Sequence, residues 1–135
     1  MLADKVRHWD SLARRVFVYT PDGKIDEWRS HSYEALNGLP IYDDCDGLAS
    51  TVVELCFKSG AKLSDLYRIA CRASSDGSGH MVGCIETEDE GFLIIGDTFR
   101  APYKAAQILH KPNIYRRLTS PDWQEGFPFE IVSVK

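Results

Sequence analysis

The sequence predicts an α+β domain, with helices in its first sixty residues and a mainly antiparallel sheet after them. Two observations predict it. Apolar residues recur at helical spacing in "ADKVRHWDSLARRV" (3–16) and "CDGLASTVVELCFKS" (45–59). Beyond residue 65 the pattern changes to short runs rich in β-branched and aromatic residues, separated by the turn formers "SSDGSG" and "TEDE". With 135 residues, 44% hydrophobic and 27% charged, the chain reads as one globular domain over 1–135.

Each element has its own warrant. In the first helix Val6, Trp9, Leu12, Ala13 and Val16 share a face. "TPDGK" (20–24) then turns the chain. From 25 to 42 the signal is mixed: Trp28, Tyr33 and Leu36 suit burial while "NGLP" breaks any helix, so the segment reads as loop with one short helix. The second helix buries Leu48, Val52, Leu55 and Cys56; Asp43 or Asp44 suits its N-cap and Gly60 its C′ position. "LYRIACRA" (66–73), "HMVGCIE" (80–86) and "GFLIIGD" (91–97) are strands. "PYKAAQILH" (102–110) reads as a short helix with proline near its start. "NIYRRL" (113–118) and "PFEIVSV" (128–134) close the chain as two strands.

Composition excludes several classes. Net charge is −4 with the basic residues scattered, which gives no reason to expect a nucleic-acid partner. "MLADKVRHWDSLARR" lacks the apolar core of a signal peptide, and no apolar run approaches the roughly 18 residues of a membrane span. A soluble protein that begins in a cytoplasm, with no membrane partner, is expected. The four cysteines (45, 56, 71 and 84) contain no Cys-x-x-Cys pair, so neither structural zinc nor a disulfide framework is favoured. Most should be buried as small hydrophobes.

Cys45 stands apart. Asp43, Asp44 and Asp46 crowd it, and carboxylates disfavour a thiolate. Yet it opens a helix, where unpaired N–H groups and the macrodipole stabilise an anion, and its own N–H is half of an oxyanion hole. Cys56, about three turns on, has no such advantage and should be core. A nucleophilic cysteine needs a base. His8, His31 and His110 read as surface or structural, whereas His80 opens a strand directly after "SSDGSG". If Glu88 and Asp89 form a two-residue turn, His80 faces Asp97 with Cβ atoms about 4.5–5.5 Å apart. A three-residue turn would send Asp97 to the other face. Taken singly, a core cysteine, a turn histidine and a strand-end aspartate are each ordinary.

In combination they resemble a known family. "DDCDGLA" (43–49), "GSGHMVGCIET" (77–87) and "LIIGDTF" (93–99) resemble the three motifs of the bacterial transglutaminase-like cysteine peptidases. "IDEWRSH" (25–31) and "YRRLTSPDW" (115–123) are similar to the family's upstream and C-terminal stretches. The resemblance implies a transglutaminase-like (papain-like) fold whose central helix starts at the nucleophile and packs on the sheet. It implies a triad in which Cys45 attacks a carbonyl, His80 exchanges its proton and Asp97 orients the imidazole. The activity implied is a peptidase or amidase working through a thioester on a protein or peptide substrate. Acyl transfer to an amine, a cross-linking reaction, would use the same thioester. Trp28 is the candidate for the second oxyanion donor. No cofactor is required. Some relatives that cleave adhesins bind calcium through the acids flanking the cysteine, here Asp44 and Asp46, against which stand the everyday cap and dipole roles of aspartate.

The chain also departs from the family. Asp46, Gly47 and Leu48 follow the cysteine where the family often has Glu, an acid and an aromatic, and Thr98 stands where Asn is common. The short chain without a leader suggests a phage or prophage setting, with other virion proteins as partners. A structural or adaptor protein that uses the fold without catalysis is the rival reading.

Overall fold

The computed structural model describes residues 1–20, 30–73, 79–96, 102–104, 116–117 and 130–131. Helix α1 spans Ala3–Val16, as the periodicity predicts, and buries Val6 and Ala13. Its N-cap, Leu2, offers no side-chain acceptor. The acceptor comes from far along the chain: the Ala3 N–H donates to Asp89 Oδ1 at 2.9 Å. Arg7 grips Glu90 with both Nη atoms at 2.7 and 2.6 Å, and the Glu88 N–H donates to the Met1 carbonyl at 3.1 Å. The acidic tip "TEDE" therefore caps the first helix, with anions where the helix dipole favours them.

Strand β1 (Phe17–Tyr19) follows α1 directly and pairs in parallel with β2 (Ile41–Asp43). Neither strand is in the sequence reading, because three residues are too few to display a period of two. Between them lies α2 (Ser32–Leu36), the short helix expected in that stretch.

Helix α3 spans Cys45–Lys58. Leu48, Val52, Leu55 and Cys56 are buried as expected, together with Ala49 and Val53. Gly60 ends it at φ +111°. Its N–H reaches the Phe57 carbonyl at 3.1 Å, and the Ala61 N–H reaches that of Cys56 at 3.0 Å. That is the Schellman pattern, for which a left-handed glycine is suited.

A 3₁₀ turn (Leu63–Asp65) leads into β3 (Leu66–Ala73), followed by β4 (Gly79–Thr87), β5 (Gly91–Ile95), β6 (Tyr103–Lys104), β7 (Arg116–Arg117) and β8 (Glu130–Ile131). The sheet order is β6-β5-β4-β3-β7, with β8 pairing in parallel with β3. The other described pairs in this sheet are antiparallel, so the chain is α+β. Two expectations are corrected here. Tyr103 and Lys104 pair with Ile94 and Leu93 as an edge strand rather than opening a helix, and Pro102 is tolerated at the start of such a strand. Residues 105–110 lie outside the described ones.

The second correction is the β4–β5 register. Thr87 faces Gly91 and Ile85 faces Leu93, so the turn holds three residues, Glu88 to Glu90, not two. Thr87 closes it: its hydroxyl donates to the Gly91 carbonyl at 2.6 Å and accepts the Glu90 N–H at 3.1 Å. Gly91 supplies the left-handed conformation, φ +72°, that such a turn needs.

Helix α3 lies on β4 where β4 has no side chain. A Cβ on Gly83 would stand 3.0 Å from Val53 Cγ2 and 3.3 Å from the Ala49 carbonyl oxygen. Fully buried Arg68, opposite Gly83 on β3, donates from Nη1 to Ser50 Oγ of α3 at 3.2 Å. Helix α1 fixes the direction of α3. It starts at the 88–90 turn, and at its far end Arg14 donates to the Gly96 carbonyl just beyond β5. There β1 follows and pairs with β2, which runs into Cys45. Helix α3 thus starts at the end of the sheet away from the turn, where β4 begins. Among the described residues no helix is long and apolar enough to cross a membrane.

Candidate active site

Cys45 is the first residue of α3 and is half-buried. Asp44 occupies the N-cap position: its carbonyl receives the Gly47 N–H at 3.2 Å and the Leu48 N–H at 3.5 Å. Asp43, the last residue of β2, is buried, and its two carboxylate oxygens have separate partners. Oδ1 accepts the Asp44 N–H at 2.8 Å, and Oδ2 accepts from His31 Nε2 at 2.7 Å. His31 is itself held. Its backbone N–H donates to Thr51 Oγ1 at 2.8 Å, and that hydroxyl donates to the Gly47 carbonyl at 2.6 Å. On the other side of the ring, Nδ1 lies 3.9 Å from Glu34 Oε2.

Gly47 completes this arrangement. A Cβ there would fall 2.3 Å from Asp43 Cγ and Oδ2, inside the space the carboxylate fills. The glycine that departs from the family pattern is thus required by the seat of Asp43, which rests on the first turn of the helix. His31, which reads from sequence as surface or structural, is the partner of Asp43, and the eleven residues of mixed signal between the two give no sign of that pairing.

His80 lies in β4, its backbone opposite Cys71 of β3. With Gly96, it belongs to the end of the sheet at which α3 begins. The register that would have opposed His80 to Asp97 is displaced by one residue, so that juxtaposition no longer follows from strand pairing. Asp97 and Trp28 lie outside the described residues, as does the side chain of Asp46. Gly96, next to Asp97, is gripped by Arg14, whose guanidinium is bound by buried Asp10 at 3.0 and 2.8 Å.

The other described cysteines behave as core. Burial pushes the Cys56 thiol up to about 12 and that of Cys84 higher still, which leaves both as neutral thiols near neutral pH. Among the described residues no group of three or more His, Cys, Asp or Glu side chains is placed to hold a metal ion. Asp43 is committed to His31 and to the helix entry. No protein-family model matches the chain, and no curated protein matches it.

Proposed function

We infer that the chain is a cysteine hydrolase of transglutaminase-like fold, acting on peptide or amide bonds of a protein or peptide substrate. The observation that carries this reading is the position of Cys45 at the start of α3, at the end of the sheet where β4 brings His80. A thiol there has the helix N-terminus to stabilise its thiolate, and the strand that carries His80 begins at the same end of the sheet.

In this reading the Cys45 thiolate attacks the carbonyl carbon, and the oxyanion that forms accepts the Cys45 N–H. His80 gives its proton to the leaving amine as the C–N bond breaks, leaving a thioester. Water then attacks the thioester, His80 takes its proton, and the acid is released as the C–S bond breaks. An amine in place of water gives cross-linking by the same route. By the resemblance Asp97 would orient the imidazole, a contact that the observed β4–β5 register does not itself supply.

The test is iodoacetamide alkylation of the folded protein across a pH series, read at each cysteine by mass spectrometry. Cys45 is expected to react fast near neutral pH, and His80→Ala to slow it. Cys45→Ala should abolish the fast phase. A Cys45 no faster than an ordinary thiol, pKa about 8.5, overturns the reading in favour of a non-catalytic adaptor.

A further inference from the structure

Asp43 sits two residues from the proposed nucleophile, and the His31–Asp43 pair has no part in the reaction just described. A carboxylate so close to Cys45 disfavours its thiolate, and one released from its partners would also compete for the N–H groups at the start of α3. The fold commits this carboxylate elsewhere. Oδ1 is taken by the Asp44 N–H, Oδ2 by His31, and the space over Gly47 is open to receive it. Thr51 anchors the His31 backbone on α3 itself, so ring and helix entry are held as one unit.

We propose that His31 is a positioning residue for Cys45: it holds the Asp43 carboxylate on its seat over Gly47 and so limits the opposition of that charge to the Cys45 thiolate. The inference rests on Cys45 being the working thiol. Without the imidazole, Asp43 keeps its charge and loses its donor, and the thiolate fraction at Cys45 falls. Removing the charge of Asp43 as well restores it.

A double-mutant cycle reads this directly. Alkylation of Cys45 by iodoacetamide is measured at one neutral pH for the native chain, His31→Gln, Asp43→Asn and the double variant. His31→Gln should slow Cys45 by about two- to six-fold, the range a unit charge about 4–8 Å away produces at the dielectric of water. The double variant should return to within about two-fold of Asp43→Asn, since the charge is then gone. A purely structural role for His31 predicts the opposite sign, because a loosened helix entry exposes Cys45 and speeds its reaction. Labelling of buried Cys56 and Cys84 in the same samples reports any unfolding. Should His31→Gln label them, Gly47→Ala takes its place: it unseats the carboxylate with the ring intact and should slow Cys45 likewise. Rates unchanged or raised in variants whose Cys56 and Cys84 stay protected overturn the proposal, as does a double variant that remains slow. A native Cys45 no faster than an ordinary thiol overturns the catalytic reading instead, while the ratios within the cycle still decide this one.

Discussion

Gly83→Ala tests the joint that sets α3 on the sheet. The added methyl would lie 3.0 Å from Val53 Cγ2, 3.3 Å from the Ala49 carbonyl oxygen and 3.8 Å from Ala49 Cα. Val53 is fully buried and, being β-branched in a helix, is confined to essentially one rotamer, so it cannot swing aside. The Ala49 oxygen is backbone and moves only with the helix. Overpacking of this kind costs about 1–3 kcal/mol. Replacing a strand glycine returns about 0.5–1 kcal/mol by reducing the freedom of the unfolded chain. The net expectation is a loss of about 0–2.5 kcal/mol. Each 1 kcal/mol lowers Tm by about 4 °C in a domain of this size. Urea unfolding should show a lower midpoint with an unchanged slope. Val53→Ala removes the nearer obstacle at its own cost of about 1–3 kcal/mol, and the pair should be less damaging than the sum by about 1 kcal/mol. Strict additivity, or an alanine at 83 that stabilises, would refute the packing account.

Two further predictions concern the supports of α3 and of α1. Burial pushes the Glu54 carboxyl up, but Ser30, Lys58 and Ser32 together outweigh it and hold the group below the usual carboxylate range. Its contribution is therefore present above the unfolded value of about 4.3 and is lost as pH falls through the lower folded value. Both partners are partly solvated, so Glu54→Gln should cost only about 0.5 kcal/mol near neutral pH, and nothing at a pH below the folded value; urea midpoints at the two pH values check it. Asp89→Ala removes the acceptor for the Ala3 N–H. A loss of about 1 kcal/mol is expected, with faster hydrogen exchange confined to the first turn of α1. Unchanged exchange there would mean that the turn does not cap the helix.

Wherever the signal was local, it was legible. The limits of α1 and of β3 follow from apolar periodicity and β-rich composition. The end of α3 follows from Gly60, because a left-handed residue is what a Schellman cap demands. Its start follows from a run of aspartates ahead of the apolar face, and so Cys45 could be singled out as the residue at a helix mouth. The burial of Cys56 came from the same helical spacing.

What failed depended on partners distant in sequence. One turn residue more or less between β4 and β5 moves every side chain to the opposite face, and the choice was made by the Thr87 hydroxyl and by α1 docking on Glu88, Asp89 and Glu90. The β1–β2 ladder exists because α1 delivers Phe17 alongside Ile41, a juxtaposition that three-residue strands do not announce. His31, ordinary in sequence, became the partner of Asp43 only when α2 was laid against α3. Helix limits and the place of the thiol were determined by the sequence itself, since capping and periodicity act over a few residues. The charge environment of that thiol was decided by tertiary structure, which brought an imidazole to one carboxylate and cleared its seat with a glycine.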